Sequence, residues 1–436
     1  MKRRLEVDLL SWRSRTIGRR PLLVFGARQV GKTYLLREFG KAHYENVAYV
    51  NLETNRAAAA SFGDDISPRA LIQLLETETN ERIHPQRTLV ILDEIQSAPR
   101  ALTSLKYFAE DAPDYHVAGV GSLLGVAINR EQQSYPVGNV ESLTLTPLDF
   151  EEYLWALGED RLAEAIQGAY ETLTALPTGL HARAVGLYHR YLVIGGMPRP
   201  INEYVQTSSL LGIGDIQRGI INDYTADMAK YTTPAETVKI RAAYNSLPAQ
   251  LAKDNHKFQY KLAERGGTAA IFGAAIDWLV QAGIVLRCDL VTTAQMPLAV
   301  YRDLAGFKLY SGDTGLLTLA SGIPINLLLS APANLSFLGA LTENYVGQTL
   351  HANQIPLYYW TAGNRAEIDF VIQHGDDIVP IEVKASTNTR SRSRSVFVDQ
   401  FNNPYSIRLS TKNFGSENSI VSIPLYAAHC IRPPQR

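Results

Sequence analysis

The sequence predicts an α/β fold built around a parallel sheet, and the alternation of strand-like and helical stretches supports this. Apolar runs suited to buried strands alternate with stretches of helical spacing, and these runs lie at 21–26, 47–51, 88–92 and 116–120. Such alternation is typical of parallel sheets with helical crossovers. From about residue 150 the pattern becomes helical, then changes to a helix and a hairpin before 325. Three strand-like runs follow near the C-terminus.

Composition narrows the class of protein. A chain of 436 residues exceeds one ordinary domain, and its net charge of −1 gives no global basic field for nucleic acid. Its two cysteines, Cys288 and Cys430, form no CxxC motif, so we expect no zinc site, no disulfide framework and a reducing compartment. Neither a secretory signal nor an apolar run of membrane-spanning length is evident, so the sequence predicts a cytoplasmic protein without a membrane partner.

The octet GARQVGKT fits the pattern GxxxxGK[ST] between an apolar strand and a helical stretch. In such a loop the backbone N–H groups converge on phosphates, and glycines allow the close approach. A lysine then contacts the β and γ oxygens, and a hydroxyl binds Mg²⁺. The residues predicted to bind ATP are Gly26, Ala27, Arg28, Gln29, Val30, Gly31, Lys32, Thr33 and Tyr34. The alternative is a glycine-rich turn without a ligand.

A second motif, a pair of acidic residues, follows the strand TLVIL. Asp93 is expected to hold magnesium with Thr33, and Glu94 to act as general base on the attacking water. Paired acids favour hydrolysis over phosphorylation of a small molecule, since kinases need no such water base. The alternative is an acidic helix start. Ser122, at the end of the next apolar run, is either a sensor of the γ-phosphate or an ordinary turn residue. Lys32, Glu94 and Ser122 are the predicted catalytic residues of this site.

The C-terminal segment RAEIDFVIQHGDDIVPIEVKAS contains a second constellation. A two-residue turn at Gly375-Asp376 would place Asp369 opposite Glu382, and Glu367 opposite Lys384, on one face of a hairpin. Facing carboxylates repel, and a divalent cation would remove that cost.

The same arrangement resembles the sites of metal-dependent nucleases. Glu343 is a third candidate metal ligand beside Asp369 and Glu382, and Lys384 is the candidate that orients a water. The alternative is a Glu367–Lys384 ion pair that serves stability alone. The run RSRSRS adds Arg390, Arg392 and Arg394, which would contact phosphates on a strand or form a solvated loop.

The order of GARQVGKTYLL, VILDEIQ, GSLL, YPVGNVESLTLTPLDFEEYL and GGMPRPI resembles a known family. Its members are bacterial and archaeal AAA-type ATPases whose C-terminal domain, of unknown function, is related to PD-(D/E)xK nucleases. The family implies cytoplasmic ATPases associated with DNA. Where members often carry a basic residue, this chain has Asn139, which leaves Arg199 and Arg218 as candidate arginine fingers, or as surface or packing arginines.

The predicted architecture therefore has four parts. They are an AAA-type P-loop domain at 1–155, a helical lid at 156–240, a winged-helix-like segment at 241–328 and a restriction-endonuclease-like α/β domain at 329–436. The predicted function is ATP hydrolysis, with ATP and Mg²⁺ as cofactors, coupled to DNA handling by the C-terminal domain. The alternatives are a signalling switch whose nuclease-like domain only binds DNA or protein, and a P-loop kinase. The candidate partners are ATP, DNA and further copies of this chain.

Overall fold

The computed structural model describes residues 1–63, 65–122, 138–253, 256–330, 336–363, 365–385 and 392–433. The chain divides into two compact units. The N-terminal unit contains residues 2–146 and 281–283, and the C-terminal unit contains residues 147–280 and 284–436. Among the described residues no helix combines the length and apolar character needed to cross a bilayer.

The N-terminal unit is built on a five-stranded sheet in the order β2-β3-β4-β1-β5, and every pairing is parallel. This confirms the predicted parallel α/β fold. The strands are β1 Leu22–Phe25, β2 Asn46–Asn51, β3 Thr88–Asp93, β4 His116–Val120 and β5 Glu141–Thr144. β3 and β4 are buried along their whole length, as their continuous apolar runs require.

Helices connect these strands, and the apolar faces of several of them pack into the core of this unit. Two of the helices, α4 and α5, begin at a proline, whose missing N–H has no helical partner at that position. The helices are α1 Leu5–Ser14, α2 Lys32–His43, α3 Arg56–Ser61, α4 Pro68–Thr79 and α5 Pro99–Asp111, with a 3₁₀ turn at Ile95–Ser97.

The C-terminal unit begins with a long helical region. The predicted helical pattern after residue 148 forms two helices, and Gly158, with a φ of 74°, lies between them. Asp149 and Glu152 form a capping box at the start of the first. The helices are α6 Phe150–Ala156, α7 Asp160–Thr172, α8 Thr178–Ile194, α9 Pro198–Thr207, α10 Ile213–Lys230, α11 Pro234–Asn245, α12 Leu247–Leu251, α13 Tyr260–Ala263 and α14 Ala269–Gln281.

The predicted helix and hairpin are present as α14 followed by antiparallel strands β6 and β7, but they do not form a separate sheet. β6 also pairs with β8, so the sheet order is β7-β6-β8-β9 and the sheet crosses the predicted boundary at 328/329. The four-part division stays a prediction. The strands are β6 Val285–Val291, β7 Arg302–Ser311, β8 Tyr358–Thr361 and β9 Glu367–Ile368, with a 3₁₀ turn at Leu298–Tyr301 and helices α15 Thr314–Ala320, α16 Ile325–Ser330 and α17 Leu338–Ala352.

A third sheet carries the predicted C-terminal hairpin. Phe370 pairs with Ile381 and His374 with Asp377, which confirms the predicted register, and Gly375 takes a φ of 64° in the turn. The sheet order is β10-β11-β12-β14-β13. The strands are β10 Phe370–His374, β11 Asp377–Val383, β12 Ser406–Ser410, β13 Gly415–Glu417 and β14 Ile420–Pro424, with helix α18 Arg392–Phe401 and a 3₁₀ helix at Leu425–Cys430.

Candidate functional site

The predicted phosphate loop leaves β1 and enters α2 in a conformation that requires its two glycines. Gly26 has a φ of 140°, and a Cβ there would lie 2.1 Å from the carbonyl oxygen of Leu145. Gly31, the residue before α2, has a φ of 96°. The loop therefore ends at the N-terminus of a twelve-residue helix, where backbone N–H groups and the helix dipole favour an anion.

Lys32 is the first residue of α2, and its side chain is 5 % exposed. Its ammonium donates to the carbonyl oxygens of Gly26 and Ala27, each at 2.8 Å. Burial lowers the pKa of Lys32 to about 8, although Glu94 and Asp93 partly offset this effect. The lysine is thus a buried cation held at the loop itself.

Asp93 ends β3 and accepts hydrogen bonds from several directions. The hydroxyl of Thr33 lies 3.1 Å from Oδ1 and 3.2 Å from Oδ2. Tyr49 donates its phenol to Oδ2 at 2.7 Å, and Asn51 donates its amide to Oδ2 at 3.3 Å. The backbone N–H of Glu94 donates to Oδ1 at 3.0 Å. The predicted Thr33–Asp93 pair is therefore assembled, and its oxygen donors suit Mg²⁺.

Tyr49 and Asn51 were not among the residues predicted from the sequence. A signal for them was available, because β2 reads NVAYVN and places polar residues two apart near its carboxyl end. The parallel register sets Asn51 opposite Asp93, so both side chains reach that carboxylate. Finding them requires knowing that β2 lies next to β3.

Glu94 is held by two neighbours. Ser122 donates to Oε1 at 3.0 Å, and the amide of Gln96 donates to Oε2 at 2.5 Å. Glu94 itself has a left-handed backbone, with a φ of 49°. Ser122 thus lies against the predicted base, and Gln96 is a further contact that the sequence analysis did not name.

Four other residues that the sequence singled out lie as follows. Tyr34, at the end of the predicted ATP-binding set, is 58 % exposed. Asn139 donates to Glu110 at 3.3 Å. Of the arginine-finger candidates, Arg199 lies on α9, whereas Arg218 lies on α10 and forms an exposed ion pair with Asp215 at 2.8 Å.

The second constellation lies in the C-terminal unit. Asp369 accepts the backbone N–H of Val383 at 2.7 Å, so it lies across from the end of β11, as the predicted register requires. Glu382 is buried. In the strand register it lies opposite Arg408 of the neighbouring strand β12. Lys384 follows β11, and its backbone N–H bonds to Leu409.

An unpredicted lysine lies at the centre of this constellation. Lys308 on β7 is completely buried, and its ammonium lies 2.9 Å from Glu343 and 2.6 Å from Glu367. Glu343 also accepts the phenol of Tyr310 at 2.5 Å and lies 2.8 Å from His256. Glu367, on β9, is therefore bonded to Lys308, and not to Lys384 as in the alternative interpretation of this segment.

These contacts bear on the predicted metal ligands Glu343, Asp369 and Glu382, which stay a prediction. Within the described parts of the chain, no group of three or more His, Cys, Asp or Glu side chains is disposed to hold a metal ion. The Lys308 ammonium lies between Glu343, which is one of the predicted ligands, and Glu367, which is not. Of the three predicted ligands, Glu343 already pairs with the Lys308 ammonium. This pairing changes which ions the three carboxylates can bind together.

The pKa shifts of the buried groups reflect these contacts. Burial lowers the pKa of Lys308, but Glu343 and Glu367 outweigh burial and raise it above its usual value. Burial raises the pKa of Glu343, but Lys308 and His256 bring it below its usual value. Burial, together with the charge of Glu343, raises the pKa of Asp369. Burial also raises the pKa of Glu367, although Lys308 acts in the opposite direction, so Lys308 compensates the buried carboxylates only in part.

The basic run at 390–395 is neither a strand nor a loop where the structure describes it. Arg394 lies in α18, and its guanidinium bonds to Ser406 and to the carbonyl oxygen of Asn418. Arg390 and the side chain of Arg392 lie outside the described residues. The strand and the solvated loop, the two alternatives for this run, are therefore both wrong from residue 392 onward, where the chain is helical.

Comparison with protein families finds three matches along the chain. Residues 18–154 match an AAA domain. Residues 185–326 match a domain of unknown function (DUF8612), and residues 338–427 match another domain of unknown function (DUF4143). No protein of curated function matches the sequence.

The following solved structures have a similar course of the chain and low sequence identity. A Walker-type ATPase of Pyrococcus abyssi is 14 % identical, covers 73 % of this chain and 95 % of its own, and has a TM-score of 0.44. The ORC2 protein of Aeropyrum pernix, in ADPNP–ADP complexes, is 14 % identical, with coverages of 78 % and 94 % and a TM-score of 0.36. AMPPCP-bound DnaA from Aquifex aeolicus is 12 % identical, with coverages of 63 % and 86 % and a TM-score of 0.27.

TM-scores this low carry no argument about activity. The class of the N-terminal unit follows instead from the family match together with the loop and the Thr33–Asp93 pair described above. Residues 18–154 of this chain are therefore an ATP-binding domain of the AAA class of P-loop ATPases.

Proposed function

We propose that this chain is an ATP-driven switch that handles DNA, and that its C-terminal unit binds DNA rather than cuts it. ATP hydrolysis in the N-terminal unit would set the state in which the C-terminal unit binds. The observation that carries the choice of binding over cleavage is the buried ammonium of Lys308 between Glu343 and Glu367.

The N-terminal site supports hydrolysis with the following roles. Lys32 binds the β and γ oxygens of ATP, and its low pKa reflects a buried cation that an anionic phosphate would stabilise. Thr33 and Asp93 would hold Mg²⁺, which neutralises charge on the transferred phosphoryl group. Glu94 accepts the proton of the attacking water, while Ser122 and Gln96 fix its carboxylate.

Substitution of Glu94 tests this half of the proposal. Glu94→Gln keeps the shape of the side chain but accepts a proton poorly, so it is expected to bind ATP normally and to hydrolyse it at least roughly a hundredfold more slowly. The matched control is Glu45→Gln, which changes an exposed glutamate of the same unit. ATP affinity and phosphate release measured on the full chain decide the matter. Undiminished hydrolysis in Glu94→Gln would show that another group is the base.

The half of the proposal that concerns the C-terminal unit rests on the arrangement of its buried charges. A metal-dependent nuclease needs carboxylates that together hold a divalent ion. Here Glu343 is bonded to Lys308, Tyr310 and His256 at distances between 2.5 and 2.9 Å. Replacing Lys308 by a metal ion would require breaking a buried ion pair, which argues against cleavage by a metal held at Glu343, while DNA as the target is proposed from the family resemblance.

Experiments with DNA test the half of the proposal that concerns the C-terminal unit. We expect the full chain to bind DNA with an affinity that changes between ATP and ADP, and to leave supercoiled plasmid intact in Mg²⁺ or Mn²⁺. Fluorescence anisotropy and gel assays measure the two properties. Plasmid cleavage that Asp369→Asn abolishes would overturn the choice of binding. DNA binding that is absent in every nucleotide state would overturn DNA as the target and leave a protein-binding switch.

A metal-dependent nuclease remains the second candidate, favoured by one specific observation. Asp369 lies across from the end of β11, which carries Glu382 and leads directly into Lys384. This candidate requires Mn²⁺ to raise the thermal stability of the full chain even when Thr33→Ala and Asp93→Ala remove the metal ligands of the ATP site. It also requires Asp369→Asn with Glu382→Gln to abolish that response, and a chain unresponsive to Mn²⁺ would eliminate it.

A further inference from the structure

Tyr49 makes the shortest of the hydrogen bonds to Asp93 described above. Its phenol lies 2.7 Å from Oδ2, whereas Thr33, Asn51 and the N–H of Glu94 lie between 3.0 and 3.3 Å from the carboxylate oxygens. A hydrogen bond from a hydroxyl to a carboxylate is among the stronger ones in proteins. The position of Asp93 therefore depends on a residue from a neighbouring strand.

The phenol ring is itself held in place. It is half-buried, and the guanidinium of Arg37 on α2 lies over it, 4.8 Å from the ring centroid. Burial and the hydrogen bond to Asp93 raise the pKa of Tyr49 to about 12. The phenol is thus held by Arg37 over its ring and by its hydrogen bond to the carboxylate.

Two different oxygens of Asp93 are fixed by different groups. Oδ2 accepts from Tyr49 and Asn51 on β2, while Oδ1 accepts the N–H of Glu94. Together these bonds hold the carboxylate in the orientation that brings it to the hydroxyl of Thr33. Removing the strongest donor would let other rotamers of Asp93 become populated, at the expense of this one.

We propose that Tyr49 is a positioning residue that sets the magnesium affinity of the nucleotide site by orienting the Asp93 carboxylate toward Thr33. The proposal rests on the proposed function, in which Thr33 and Asp93 hold Mg²⁺. Tyr49 itself contacts neither nucleotide nor metal in this role. Arg37 assists by restricting the rotation of the ring.

The experiment compares Tyr49→Phe with wild type in the full chain. The affinity for a fluorescent non-hydrolysable ATP analogue is measured in EDTA and then during a titration with Mg²⁺. We expect unchanged affinity in EDTA and a roughly tenfold higher Mg²⁺ concentration at half-saturation, since a hydrogen bond to a charged group is lost. At saturating Mg²⁺ the kcat for ATP should return close to the wild-type value. The control is Tyr115→Phe, which changes a half-buried tyrosine of the same unit.

Three outcomes would overturn the proposal. The first is a wild-type Mg²⁺ requirement in a folded Tyr49→Phe protein, and the second is an equal loss of affinity in EDTA, which would show a purely structural role. If Tyr49→Phe does not fold, Arg37→Gln replaces it, and a wild-type Mg²⁺ requirement there is the third. Failure of the proposed function looks different, because wild type itself would then show no effect of Mg²⁺ on nucleotide affinity.

Discussion

Each of the two units contains a buried lysine, and the surroundings of the two side chains differ. The ammonium of Lys32 contacts the carbonyl oxygens of Gly26 and Ala27, whereas that of Lys308 contacts the carboxylates of Glu343 and Glu367. Burial lowers the pKa of Lys32 to about 8, while the carboxylates raise the pKa of Lys308. Burial acts in the same direction on both lysines, and the neighbouring charge decides the outcome.

This difference indicates opposite roles. A buried cation with dipolar partners gains stability from an incoming anion, which suits a site that binds phosphate. A buried cation with two carboxylates already has its counter-charges within the fold, which suits a structural position. The predictions below test this contrast, beginning with the largest expected effect.

Removal of Lys32 should affect activity far more than stability. Lys32→Ala is expected to lower ATP hydrolysis by roughly a hundredfold to a thousandfold, because the transferred phosphoryl group loses a fixed cation. Steady-state phosphate release measures the rate, and thermal unfolding should show a change of only a few degrees. Near-normal turnover in this variant would contradict the role of Lys32. The matched control is Lys41→Ala, which changes an exposed lysine at the other end of the same helix.

Removal of Lys308 should affect stability. Lys308→Met is expected to reduce the free energy of unfolding by about 3 to 5 kcal/mol, because two partly or fully buried carboxylates lose their cation. Urea denaturation of the full chain measures this quantity. Adding Glu343→Gln and Glu367→Gln should recover part of the loss, since the uncompensated charges are then removed. A loss below about 1 kcal/mol, as expected for an exposed ion pair, would contradict the structural role.

The pH dependence of nucleotide affinity gives the smallest of these effects. Because the pKa of Lys32 is about 8 and a bound phosphate would raise it, binding favours the protonated lysine. Affinity should therefore be complete below pH 8 and fall by roughly tenfold between pH 7 and pH 9. Fluorescent-nucleotide titrations in EDTA measure this. Affinity that is constant over that range would show that Lys32 stays protonated without the nucleotide, and Lys32→Ala should remove the dependence.

Local patterns were sufficient to predict much of the ATP site. The strand, loop and helix around Lys32 are continuous in sequence, and the acids after β3 follow from one apolar run. The hairpin register at Phe370 and Ile381 was also predictable, because a two-residue turn fixes the pairing of the residues around it. In each case the residues that specify the structure lie within a short stretch of chain.

Contacts between distant segments were not predictable in the same way. Lys308 reaches Glu343 and Glu367 across 35 and 59 positions, and its own strand reads as an ordinary hairpin strand. Tyr49 reaches Asp93 only because β2 and β3 are neighbours in the sheet. The hairpin register predicted that Glu367 lies opposite Lys384. In the structure β9, which carries Glu367, and β10 belong to different sheets.

The sheet β7-β6-β8-β9 determines how this protein can be dissected into fragments. Its strands come from 285–311 and from 358–368, on either side of the predicted boundary at 328/329. A truncated protein that starts at residue 330 would lack β6 and β7, and with them Lys308. Glu343 and Glu367 would then have lost the ammonium that neutralises them in the full chain. Expression trials of the C-terminal region should therefore begin near residue 147, where the compact unit itself begins.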